Sequence, residues 1–128
     1  MKNLYLTLAG IFIFILTGTA QEIQWQNTIG GSQKDRLLTI RPTTDKGYII
    51  GGQSESNISV NKSENCFGGY DYWILKVDSN GVVQWDNTIG GSGIEYISSV
   101  EQIADGGYIV GGTSFSGISG DKSENCYG

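Results

Sequence analysis

Residues 25 to 68 of this chain recur at residues 85 to 128, at a constant offset of 60 and with no insertion or deletion. Trp25 aligns with Trp85, Asn27 to Ser32 with Asn87 to Ser92, Gly47 to Gly52 with Gly107 to Gly112, and Lys62 to Cys66 with Lys122 to Cys126. Of the 44 aligned positions, 23 are identical. A fixed long period is the mark of a repeat architecture, in which a unit too small to bury its own apolar surface stacks on the next one.

One period reads as four short strands. Leu37 to Thr43 is the weakest, because its apolar positions (Leu37 and Ile40, matched by Ile97 and Val100) are spaced by three. That spacing also suits a short helix, but Pro42, Thr43 and Thr44 oppose one, so a strand, with room for a bulge, is expected. Gly47 to Gly52 follows a turn at Thr44-Asp45-Lys46, and its consecutive apolar residues predict a strand buried on both faces. Tyr70 to Val77 is aromatic and β-branched. Asp78-Ser79-Asn80-Gly81 signals a hairpin, and Val82 to Ile89 forms the return strand. Twenty glycines against one proline fit many tight turns between such strands.

The expected fold is therefore all-β and β-propeller-like, built from four-stranded antiparallel blades. A β-sandwich is the alternative, although one face of a sandwich sheet is usually solvated. The phase of the repeat makes the propeller incomplete: about one and a half blades plus a leading strand at Glu22 to Ile29, the counterpart of the fourth strand. Repeat 1 spans about 25–84, and a truncated repeat 2 spans about 85–128. Closure at four to eight blades needs roughly 240 to 480 residues, so further blades of the same protein are expected outside residues 21–128.

Residues 1–20 read as a secretory signal peptide. Lys2 supplies the positive end, Leu4 to Leu16 is mostly apolar, and Gly18-Thr19-Ala20 offers a cleavage site. The apolar run is shorter than the roughly 20 residues that cross a bilayer, so the expected location is secreted or at the cell surface, with no membrane span after signal removal. Beyond Ala20 there are seven basic and thirteen acidic residues, a net charge of −6. An acidic chain without a basic cluster would repel a phosphate backbone, so no nucleic-acid partner is expected.

The strongest chemical statement is negative. The chain has no histidine, which excludes Ser-His-Asp and Cys-His catalysis and His-containing zinc sites within it. Phosphate-loop and dinucleotide fingerprints do not occur in it. Paired carboxylates that could cleave a glycosidic bond are Asp35/Glu95, Asp45/Asp105 and Glu64/Glu124. They stand at matching positions of the two copies, whereas acid and base need unlike environments. Alternating oxygen side chains at Asn61, Ser63 and Asn65, and from Asp121 to Asn125, suit calcium, but the glycine falls late and no terminal bidentate glutamate follows. A polar surface loop is the simpler reading. Cys66 and Cys126 are expected to stay unpaired, since facing sheets about 10 Å apart exceed disulfide reach. Trp25, Trp73 and Trp85 could stack sugars, but their regular placement fits packing anchors. No catalytic, cofactor-binding or metal residue is assigned, and no cofactor is expected.

The segment Asp78-Ser79-Asn80-Gly81-Val82-Val83-Gln84-Trp85-Asp86-Asn87-Thr88-Ile89-Gly90-Gly91-Ser92, with Thr44 to Gly52, Ala104 to Gly112 and Asp71 to Asp78, resembles the repeats of large exported bacterial proteins that often end in a type IX secretion sorting domain. Its Trp-x-x-Thr-x-Gly-Gly piece is similar to the tryptophan motif of quinoprotein propeller blades. The resemblance covers essentially all of residues 21–128. It implies propeller-like domains and export, and no particular reaction. The expected function is a non-catalytic binding or interaction scaffold with a protein or glycan ligand, in a cell-surface, adhesion or glycan-related role. The alternative is part of a secreted glycan-processing hydrolase whose catalytic residues lie outside this chain.

Overall fold

A computed structural model describes residues 21–127. The signal segment expected at residues 1–20 lies outside the described residues. The described chain holds six strands, β1 (Asp35–Pro42), β2 (Tyr48–Ser54), β3 (Asp71–Val77), β4 (Val83–Ile89), β5 (Glu95–Gln102) and β6 (Tyr108–Ser114). β1 to β4 form one antiparallel sheet in chain order, and β5 pairs with β6 in a second.

The ambiguous spacing of three has a direct cause. The β1–β2 register slips between Leu37 and Thr39, and the β5–β6 register slips between Ile97 and Ser99. A bulge inserts one extra residue, so side chains three apart return to the same face. Leu37 and Ile40 thus share a face of the first sheet, and Ile97 and Val100 share the matching face of the second.

The turns also repeat. Thr43 donates its N–H to Gly47 O, and Lys46 N–H bonds Thr43 O. Ile103 and Gly106, then Asp78 and Gly81, do the same at their turns. Each turn needs one left-handed residue, supplied by Lys46 (φ 69°), Gly106 (φ 88°) and Gly81 (φ 77°). At the Asp78 hairpin the residue is therefore Gly81 alone, not Asn80, in a type I turn closed by a bulge.

The two sheets stack through unlike faces. Register places Ile49, Ile74, Tyr72 and Ile89 on one face of the first sheet, here called face A. Face A packs on Ile97, Val100, Tyr108 and Val110 of the second sheet. Those residues are the 60-offset equivalents of Leu37, Ile40, Tyr48 and Ile50, which lie on the opposite face of the first sheet, face B. Face A of one copy therefore meets face B of the next. Gly51 permits the approach, since a Cβ there would stand 2.8 Å from Ile97 Cδ1 and 3.1 Å from Val100 Cγ1. Two backbone bonds join the sheets beside this core, Gly69 N–H to Gly93 O (2.7 Å) and Glu95 N–H to Tyr70 O (2.6 Å).

One expectation is corrected. Residues 22–29 form no strand. A fourth strand needs a third strand to pair with, and β3, the one third strand among the described residues, is already paired with β2 and β4. The segment keeps the packing of its counterpart all the same. Trp25 meets the Tyr48 ring at 6.0 Å as Trp85 meets Tyr108 at 5.6 Å. Ile29 packs against the Ile50–Trp73–Leu75–Val77 cluster on face B, as Ile89 packs against the core between the sheets.

Candidate functional site

The carboxylates advanced by the sequence are occupied in holding backbone. Asp35, at the start of β1, accepts from Gly31 N–H (2.6 Å), Ser54 Oγ and Ser56 Oγ. Glu95, at the start of β5, accepts from Gly91 N–H (3.2 Å), Ser114 Oγ (2.8 Å) and Ser116 Oγ (2.6 Å). Each is a latch across its Gly-Gly-Ser segment. The two serines of each latch are identical between copies, a signal in the sequence that the spacing of the acids alone did not expose.

Asp45 orders its turn through Thr43 Oγ1 and Gly47 N–H, and it pairs with Lys76 Nζ at 2.8 Å. The Lys76 ammonium holds the Asp45 carboxyl well below the usual carboxylate range, helped by Thr43 and Gly47. Asp105 repeats only the bond to Gly107 N–H. Glu64 accepts from Thr88 N–H (2.6 Å), whereas Glu124 offers its backbone carbonyl to Lys122 Nζ (2.7 Å).

The oxygens of the calcium-like loop also bind backbone. Asn61 Oδ1 and Asp121 Oδ2 accept from Gly30 and Gly90 N–H, both at 3.3 Å. Asn65 and Asn125 accept from Ile58 and Ile118 N–H. The loop is a self-satisfied polar element, and among the described residues no three acidic or cysteine side chains converge for a metal.

The cysteines remain free. Cys66 Sγ donates to Ser54 O at 2.9 Å, and burial pushes its thiol up to about 11, well away from a reactive thiolate. Trp73 is fully buried, with its indole N–H on Asp86 Oδ2 (2.9 Å) and Lys62 Nζ 5.8 Å above its ring. A sugar has no access to it.

One group was missed in the sequence. Asp71, at the start of β3, is fully buried at the junction of the sheets beside Glu95. Its Oδ2 accepts from Phe67 N–H (2.6 Å), and its Oδ1 has no protein donor. When protonated, Asp71 can donate to the neighbouring Glu95. Burial pushes Asp71 up to about 6, with Glu95 adding to the rise. Burial also works against ionising Glu95, but hydrogen bonds from Ser116 and Ser114 outweigh it and keep that carboxyl below its ordinary value. The equivalent of Asp71 falls beyond Gly128 in the second copy, so the repeat could not flag it.

An acid and a carboxylate in unlike environments are what glycoside hydrolysis requires. Here the acid is sealed. Asp71 has no exposed surface, Glu95 is only 2% exposed, and a Cβ on Gly90 would lie against Asp71 Oδ1. The pair holds the junction together, with Asp71 sealed from any glycosidic oxygen and Glu95 meeting the cleft between the sheets with only a sliver of surface.

The chain matches no family model, and neither the curated proteins nor the solved structures yield a match.

Proposed function

We propose that this chain is a repeat segment of an exported β-propeller-type protein and serves as a non-catalytic scaffold for binding or interaction at the cell surface. The carrying observation is the stacking of unlike faces. A contact of that kind propagates, giving a ring when the rotation closes and an open stack when it does not. A sandwich built of two like faces would stop at two sheets. Several polar groups support a structural role as well, since the Asp35 and Glu95 latches and the Asn65 and Asn125 side chains hold equivalent backbone N–H groups in the two copies. Export rests on the layout of residues 1–20, and the type IX route on the resemblance of the Asp78–Ser92 segment.

Two measurements test this reading. Expression of the whole gene product in a Gram-negative host should yield a chain beginning at Gln21 outside the cytoplasm, by intact mass. A panel of chromogenic glycosides should show no turnover, while a glycan array or surface-protein screen should show saturable binding. Turnover that disappears in Glu95→Gln would overturn the non-catalytic reading in favour of the hydrolase.

A further inference from the structure

In the first sheet β2 has a partner on each side, whereas β6, its equivalent, pairs among the described residues only with β5. The consequence is visible residue by residue. Ile49 is 0% exposed and Ile109 is 61% exposed. Gly52 and Ser54 are buried, while Gly112 is exposed and Ser114 half-buried. The outer edge of β6, Tyr-Ile-Val-Gly-Gly-Thr-Ser, carries neither charge nor proline to discourage pairing.

Beside this edge lies a cleft of about 200 Å³ between the sheets, lined by Tyr72, Ile89, Gly90, Glu95, Ser114, Asp121 and Lys122. The 60-offset equivalents of its floor identify what fits there. Ile29, Ser54 and Lys62 stand for Ile89, Ser114 and Lys122. In the first copy Ile29 packs against the cluster that holds Trp73, Lys62 lies over the Trp73 ring, and Ser54 pairs with Asp71 two residues earlier on the same strand. In the second copy Lys122 Nζ turns to Glu124 O instead.

We propose that the edge of β6 and this cleft form a docking slot for an extended protein segment of the β3 type, Asp-aromatic-Trp-Ile-Leu. The segment adds as an antiparallel strand and places its indole between Ile89 and Lys122. Recognition is by strand addition, with main-chain bonds giving affinity and the alternate side-chain pocket giving selectivity. The β2–β3 pairing is the template: it sets Gly52 opposite Trp73, and Gly112 takes the place of Gly52. The proposal rests on the repeat-stacking reading above, yet it fails separately, because glycan binding or turnover has no bearing on it.

The probe is a synthetic peptide of residues 69–90, the β3–β4 hairpin, added in labelled form to the purified chain. The expected result is saturable one-to-one binding with slowed amide exchange confined mainly to Ile109–Ser114. A peptide carrying Trp73→Ala should bind at least about ten-fold more weakly. Lys122→Ala in the chain should weaken binding several-fold with an unchanged circular dichroism spectrum, since Lys122 is only half-buried at the rim. Equal binding of the two peptides, or no protection of β6 at the solubility limit, would overturn the proposal. Protection of β6 by a concentration-dependent dimer that the peptide does not dissociate would overturn it too, by making a second copy the occupant.

Discussion

Residues 35–66 and 95–126 share a period, a set of turns and a set of strand registers, yet they do not share an interior. Leu37 and Ile40 are 41% and 48% exposed, whereas their equivalents Ile97 and Val100 are 4% and 1% exposed. The inequality reverses at the next strand, where Ile49 is sealed and Ile109 is open. Leu37, Ile40 and Ile109 are open where no second sheet lies over them, while Ile50, Trp73, Leu75 and Val77 on face B are covered by Ile29 and Tyr48 instead. Burial at Leu37/Ile97, Ile40/Val100 and Ile49/Ile109 therefore follows position in the stack, although the residues themselves recur with the repeat.

The largest effect that can break this comparison is a pair of truncations. Ile49→Ala should cost about 2–5 kcal/mol, the range for emptying a packed core site, while Ile109→Ala should stay within about 1 kcal/mol. Urea unfolding of the two variants measures both. Equal costs would mean that the faces are not distinguished by stacking.

A smaller effect concerns the junction acid Asp71 at the start of β3. The raised pKa of Asp71 gives stability that is fully present below its unfolded value of 3.8 and is lost as pH rises through about 6. Glu95 has the opposite sense, with stability present above its unfolded value of 4.5 and lost in acid. Asp71→Asn keeps an acceptor for Phe67 N–H and removes the first slope. Relative to the parent, it should gain on the order of 1–3 kcal/mol between pH 4 and pH 7. Unfolding curves at the two pH values check this, and a pH-independent difference would remove Asp71 from the junction's titration.

The smallest effect concerns a position where the copies differ in residue but not in backbone. Val60 has φ 46° and its equivalent Gly120 has φ 56°. A β-branched residue is strained there. Val60 is also 87% exposed, so its side chain contributes little packing. Val60→Gly should stabilise by about 1 kcal/mol, read as a rise in the thermal midpoint, whereas a fall would show that the valine is held by something other than strain.

The same comparison shows what was legible in the sequence. Strand existence was, because alternation and Asn-Gly or Asp-Gly turn signals are local. β2, β3 and β4 fall within a residue or two of expectation. The bulge in β1 was readable only as an oddity: spacing by three carries the insertion, but nothing local separates it from a helical turn. The segment 22–29 has the sequence of a fourth strand and the packing of one, yet it lacks the ladder, because a ladder depends on a partner strand that local sequence cannot supply. The latch carboxylates were noticed as pairs, but their work of holding backbone N–H groups is a three-dimensional fact. Asp71 stayed hidden because it has no second copy within the chain.

The two copies stack through unlike faces, and a contact of that kind can be extended by a further copy. The most direct measurement adds one period, by fusing a second copy of residues 69–128 after Gly128, and repeats Ile109→Ala in the longer chain. The substitution, near silent in the original chain, should now cost about 2–5 kcal/mol in urea unfolding, as a newly buried core site does. An Ile109→Ala cost that stays within about 1 kcal/mol in the extended chain, with no gain in overall stability, would contradict it.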